Sequence, residues 1–169
     1  TRYISVTGVQ TCALPISLSA TQLWNGIAFG KTNASGIGNF ATDQTAGGRV
    51  NYFVAVSGTS GTTINYSTDG GITWTAKTVP GTQTFSDIAF GGGTWIAVGG
   101  PTATQAFQWC HGNPVVGVWN SVAAGMPSSS NWKSIAYHPM ISGGIGANTV
   151  NMGTFVSISE RSEEHTSEL

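Results

Sequence analysis

The sequence predicts an all-β fold built from tandem repeats of short strands. Nearly continuous apolar runs, such as Ile-Ala-Phe at 27–29 and Phe-Val-Ala-Val at 53–56, are typical of strands covered on both faces. Gly, Ser and Thr interrupt the remaining windows, so no apolar spacing of three and four residues persists and no helix is predicted. The same strand pattern also returns along the chain.

The repeat begins with an aromatic residue followed, after two residues, by Ile-Ala-aromatic, at 24–29, 85–90 and 132–137. A second strand follows each copy, at 53–57, 95–99 and 155–159. The first two copies continue into third and fourth strands, at 63–68 and 72–79 and at 106–110 and 116–122. Four short strands in a period of about 50 residues are the pattern of a propeller blade. We therefore predict a partial β-propeller of about two and a half four-stranded antiparallel blades, at 22–80, 84–123 and 131–160.

The turn between the third and fourth strands of the first repeat reads S-x-D-x-G-x-T-W. Its defining residues are Ser67, Asp69, Gly71, Thr73 and Trp74. Asp-Gly-Gly is a strong tight-turn signal, and the flanking apolar residues predict a hairpin around it. The pattern resembles the Asp-box of bacterial neuraminidase repeats, found in sialidase-like β-propellers. That resemblance implies a peripheral folding element, so Asp69 is expected to cap its own turn.

The two ends differ from the repeats. Residues 6–16 and 161–169 resemble translations of two sequencing adapters, so we interpret 1–17 and 161–169 as non-native and exclude them from the fold. The alternative is a first strand at 6–16 and a polar tail at 162–169. Residues 18–160 are then expected to be part of a longer protein, whose remaining blades are the expected partners.

Charge argues against two classes of partner. The charged residues of 18–160 balance: Lys31, Arg49, Lys77 and Lys133 against Asp43, Asp69, Asp87 and Glu160. Without a basic face, binding to nucleic acid or to a membrane surface is not expected. Cys110 is the one cysteine of this segment, so no internal disulfide is predicted.

The resemblance implies what a sialidase would require: an arginine cluster, a tyrosine–glutamate pair and an aspartate acid/base. Residues 18–160 contain only Arg49, and no spacing pairs Tyr137 with Glu160. A carboxylate pair for ordinary glycoside hydrolysis is not singled out either. Asp87 remains a candidate ligand-binding residue because Gly26 and Ser134 occupy its position in the sister repeats. We predict no catalytic residues.

Metal and aromatic sites were weighed in the same way. Cys110, His111 and His138 lack paired ligand spacing, so no metal site and no cofactor are predicted. Four tryptophans recur at repeat positions and are expected to pack between blades: Trp24, Trp95, Trp119 and Trp132. Trp109 aligns with Ser67 one repeat earlier, so it is a candidate for exposed ligand binding, together with Arg49.

These observations favour a binding or display module that recognises a glycan or a cell-surface partner. Similar arrays occur in bacterial surface proteins and phage tail proteins, so an extracellular or virion surface location is expected. Ligand contact is expected in the Gly- and Thr-rich insertion 31–50. The alternative is a fragment of a sialidase-like exo-glycosidase with most catalytic residues on other blades. Because the terminal blades lack neighbours, residues 18–160 alone are expected to aggregate or to be partly molten.

Overall fold

The computed structural model describes residue 18 and residues 22–33, 49–100, 107–121, 131–139 and 153–160. All ten elements in these ranges are β-strands, and the described residues form no helix. The prediction of an all-β fold with four-stranded antiparallel sheets is therefore confirmed. Both adapter-like ends and most of the 31–50 insertion lie outside the described residues.

The strands form three separate antiparallel sheets in chain order. The first sheet has the order β1(Trp24–Asn33), β2(Arg49–Ser57), β3(Gly61–Ser67) and β4(Thr75–Gln83). The second has the order β5(Phe85–Gly91), β6(Thr94–Gly99), β7(Phe107–His111) and β8(Asn120–Ser121). The third contains β9(Asn131–His138) and β10(Thr154–Glu160).

The pairing register makes the three sheets equivalent residue by residue. Phe29 pairs with Phe53, and the same two positions are occupied by Phe90 and Trp95 and by Tyr137 and Phe155. Each first strand also has a register shift near its second residue. The repeats read from the sequence are thus repeats of backbone geometry.

Each sheet packs against the next through its first strand. β1 contacts β5, and β5 contacts β9. One apolar core lies between the first two sheets and a second lies between the second and third. Trp95 is fully buried in the first core and Trp132 is buried in the second, as expected for tryptophans that fill the space between sheets. Burying a side chain of this size stabilises by up to about 4–6 kcal/mol.

Equivalent apolar residues are buried only where a neighbouring sheet covers them. Ile88 is 4% exposed against the first sheet, whereas Ile27, its counterpart in the first sheet, is 53% exposed. On the opposite face, Val54 is fully buried and its counterpart Val156 in the third sheet is 57% exposed. The outer faces of the first and third sheets are therefore apolar and uncovered by the described residues.

Glycine permits the close approach of one sheet to the next. The ring pair Phe90–Trp95, with centroids 4.4 Å apart, lies where a Cβ on Gly30 would be, 2.6 Å from Phe90 Cγ. The Tyr137 ring occupies the same place over Gly91. A side chain at either glycine would overlap the aromatic ring of the following repeat.

Three predicted boundaries were wrong. The strand predicted to begin at Ile72 begins at Thr75, because the Asp69 carboxylate holds the Thr73 N–H in the turn. The strand predicted at 116–122 is reduced to Asn120–Ser121 by a longer turn before it. Pairing of β1 with β2 continues through Asn33 and Arg49, so the insertion is narrower than 31–50 and its centre, 34–48, lies outside the described residues.

Candidate functional site

The Asp-box residues form a closed hydrogen-bonded turn at the end of the β3–β4 hairpin. The Asp69 carboxylate accepts from the Thr73 backbone N–H at 2.9 and 3.1 Å and from the Thr73 hydroxyl at 2.5 Å. Ser67 Oγ donates to Asp69 Oδ1 at 2.8 Å and accepts from the Gly71 N–H at 2.9 Å. Trp74 Nε1 donates to the Gly71 carbonyl at 2.9 Å. Asp69 is therefore directed at its own turn.

These bonds set the charge state of the turn. Hydrogen bonds from Thr73, first from its hydroxyl and then from its N–H, lower the pKa of Asp69 to about 2, and Ser67 contributes in the same direction. Each donor stabilises the carboxylate over the neutral acid. Gly70 and Gly71 adopt φ of 79° and 92°, a conformation that other residues rarely adopt. The arrangement is that of a turn cap, with no donor or nucleophile aimed at a substrate.

The second sheet replaces this turn with one built on Asn113. Asn113 Oδ1 accepts from the Val115 N–H at 2.8 Å, and the Asn113 carbonyl accepts from the Gly117 N–H at 2.8 Å. Trp119 Nε1 donates to the Pro114 carbonyl at 3.1 Å. Trp119 thus closes its turn in the way that Trp74 does, although the residues between differ.

The Asn113 turn also contacts the first sheet. The Asn113 side chain is hydrogen bonded to Tyr52 of β2. Burial, partly offset by that bond, raises the pKa of the Tyr52 phenol. Val115 packs in the core between the two sheets, as does Tyr66 of β3. The β7–β8 turn therefore covers the outer part of the first sheet.

Asp87 joins the second sheet to the third. Its Oδ1 accepts from the Ile88 N–H at 2.8 Å. Its Oδ2 accepts from Ser134 Oγ at 2.7 Å and from the Ile135 N–H at 3.0 Å. The candidate ligand-binding carboxylate is thus engaged within the fold.

The reasoning that singled out Trp109 was wrong by one residue. In the register, Trp109 pairs with Ile96 as Tyr66 pairs with Val54, so its counterpart is the aromatic Tyr66 and not Ser67. Trp109 is half-buried and packs edge-on against His111, with ring centroids 4.9 Å apart. Thr94 Oγ1 and His111 Nδ1 are 2.7 Å apart. These three residues, Thr94, Trp109 and His111, form what we term the Trp109 patch.

Arg49 lies on a different part of the molecule. It begins β2, is exposed, and pairs with Asn33 where β1 and β2 extend beyond the length of β5 and β6. Lys31, also exposed, lies on the same extension. Arg49, Asp87 and Trp109 thus lie on β2, β5 and β7 and do not form one site.

The residues considered for catalysis are likewise dispersed. Tyr137 and Glu160 lie at opposite ends of the β9–β10 ladder, and Tyr137 packs on Phe155. Glu160 forms an exposed ion pair with Lys133 at 2.9 Å, whose hydrogen bond and charge lower the Glu160 pKa. Asp43 lies outside the described residues.

Cys110 is a buried free thiol. Its Sγ lies 3.6 Å from the His111 carbonyl and 3.8 Å from the Asn113 carbonyl. Burial raises the pKa of the thiol to about 11, so it stays protonated at neutral pH. Among the described residues, no three His, Cys, Asp or Glu side chains cluster as metal ligands would.

Sequence reasoning missed the contacts that join sheets. Asp87 could have been recognised as a joining residue, since it replaces Gly26 and Ser134 at a repeat position that faces the next repeat. Asn113-Pro114 gave a turn signal, but no local pattern indicated a bond to Tyr52. None of the described residues belongs to a helix of the length and apolar character needed to cross a bilayer. Comparison of the chain with family models, curated proteins and solved structures found no match.

Proposed function

We propose that residues 18–160 are an arc of a β-propeller built from Asp-box repeats, and that the protein is a binding or display module. The architecture is supported by the burial of equivalent residues. Ile88 and Ile135 are 4% and 7% exposed against the sheet before them, while Ile27 is 53% exposed. The first and third sheets thus present faces shaped for further sheets of the same kind, as in an array of repeats.

The binding function is supported by where the repeats differ. The connection between the first and second strands is the two-residue turn Gly92-Gly93 in the second sheet, but spans 34–48 in the first and 139–153 in the third. Because the β3–β4 turn lies at the same end of its sheet, these long connections join a surface already fixed by the Asp-box. Variable loops on a repeated scaffold are the usual location of recognition.

The ligand class follows from the chemistry of that end. The described residues there are polar or singly charged, with exposed Lys31 and Arg49 on the first-sheet extension and exposed His111 beside Trp109. Such a surface is suited to a neutral or weakly acidic glycan, bound by hydrogen bonds and aromatic contact. The single observation that carries the proposal is this contrast between constant strands and variable connections.

The experiment is a glycan array with the complete protein that contains this arc. Binding that is lost when 34–48 is replaced by a two-residue Gly-Gly turn, with the fold retained, supports the proposal. Absence of binding to any glycan on the array argues against it. The extended sequence separates the enzyme alternative: three arginines and a tyrosine–glutamate pair converging on central loops would indicate a sialidase-like activity.

A further inference from the structure

The third sheet has an open edge where the first two sheets have a third strand. β2 pairs with β3, and β6 pairs with β7. β10 occupies the same register position as β2 and β6 and, among the described residues, pairs only with β9. Its other edge therefore presents backbone N–H and C=O groups that the described strands leave unpaired, which is a template for strand addition.

The Trp109 patch lies next to this edge and is uncovered for the same reason. In the first sheet, Tyr52 and Tyr66 are the counterparts of Thr94 and Trp109. They are covered by the β7–β8 turn of the following sheet, through Asn113 and Val115. The described part of the third sheet has no such turn, so Trp109 is half-buried and His111 is exposed.

From this continuity we infer that the β10 edge and the Trp109 patch form one docking surface for an antiparallel β-hairpin of the β7–β8 type supplied by another chain. The strand of the hairpin pairs with β10, and its turn packs on Trp109. By analogy with β6 and β7, Phe155 faces the hairpin position of Cys110, and Val156 that of Trp109. The residues directed toward the second sheet are then of the Gln108 and Cys110 kind, which in the second sheet are buried against the first.

This interaction does not depend on glycan recognition. It requires only that the third sheet accept what the first two sheets already contain. A failed glycan array would therefore leave it intact, and a failed hairpin experiment would leave the proposed function intact.

The test uses the full chain and a synthetic peptide of residues 107–121 with Cys110→Ser to prevent disulfide formation. Hydrogen exchange with mass spectrometry is measured as peptide is added. We expect exchange in 154–160 to slow by about tenfold or more at saturation, as for amides that gain a stable partner. Exchange in 75–83, the edge strand β4 of the first sheet, is expected to stay unchanged.

Two controls define specificity. A peptide with Gln108→Pro and Trp109→Pro must lose the effect, because one of the two positions directs its N–H toward β10 in either register. In the protein, Trp109→Ala is expected to raise the peptide Kd by about tenfold, as truncation of a central aromatic contact does. Ile72→Ala, an exposed apolar residue on the Asp-box turn, is the matched variant and should leave the Kd unchanged.

Three outcomes would overturn the inference. Slowing in 75–83 equal to that in 154–160 would indicate non-selective edge binding. Unchanged exchange at millimolar peptide would show that the edge does not accept this hairpin. Slowing in 154–160 that rises with protein concentration and without peptide would identify a second copy as the occupant.

Discussion

Asp87→Ala offers the sharpest perturbation of the contact between the second and third sheets. The carboxylate accepts two bonds from the third sheet, at 2.7 Å from Ser134 Oγ and 3.0 Å from the Ile135 N–H. A hydrogen bond to a charged group contributes about 1.5–3 kcal/mol when buried. Because Asp87 is half-exposed, water replaces part of this, and we expect the variant to weaken the contact by about 2 kcal/mol.

The expected result is local. A loss of about 2 kcal/mol raises the opening equilibrium of the third sheet by about 30-fold. Hydrogen exchange of amides in 131–138 and 154–160 should accelerate by that factor, while those in 49–57 should not change. Ser134→Ala removes one of the two bonds and should give a smaller acceleration, of about fivefold. Asp69→Ala, which removes a carboxylate from the first sheet, is the control and should leave the third sheet unaffected.

The reasoning would be refuted if Asp87→Ala changed exchange in 131–138 by less than twofold. Equal acceleration in all three sheets would also refute it, because the carboxylate would then act on the whole fold. If Asp87 is instead a ligand-binding residue, the variant should lose glycan affinity with no change in exchange.

Further predictions concern the packing, the turn, the thiol and the uncovered faces. Ile88→Ala should lower the free energy of unfolding by about 2–5 kcal/mol and Ile27→Ala by less than about 1 kcal/mol, because only Ile88 leaves a cavity; urea denaturation measures both, and equal losses would contradict the packing. The Asp69 carboxylate stabilises the fold above its ordinary pKa of 3.8, and this contribution is lost as the pH falls to about 2; the fall in the urea midpoint between pH 5 and 2.5 should be smaller in Asp69→Asn. In a Cys12→Ser background, Cys110 should react with iodoacetamide only after denaturation, and reaction with the native protein would contradict its burial. Residues 18–160 alone should aggregate in light scattering, and a sharp cooperative melt of a monomer would oppose that expectation.

Much of the fold is predictable because its signals are local. The Ile-Ala-aromatic strands are apolar on both faces, so they identify strands that neighbours cover, and their recurrence identifies the repeat. The Asp-box is equally local, since Asp69 bonds to Thr73 four residues away. Period and turn chemistry therefore define which segments are equivalent without any knowledge of distant contacts.

The errors arise where an insertion or a long-range bond decides the outcome. Trp109 was aligned with Ser67 by counting back from the tryptophans that follow, but the Asn113 turn is longer than the Asp-box and shifts the count by one. Its true counterpart, Tyr66, is aromatic and packed, so recurrence argues for a covered position at Trp109. The role of Asp87 depends on Ser134, 47 residues away, and no sequence window contains both.

The glycines show how one repeat constrains the next. Phe90 of the second sheet lies over Gly30 of the first, and Tyr137 of the third lies over Gly91 of the second, each where a Cβ would overlap the ring. The rule is directional, because the aromatic residue always belongs to the later repeat. In the third sheet the equivalent position is His138, which pairs with Thr154 in the register that pairs Gly91 with Thr94. A following repeat could not place its aromatic ring on the backbone there, so its first strand must approach the third sheet less closely or displace the imidazole.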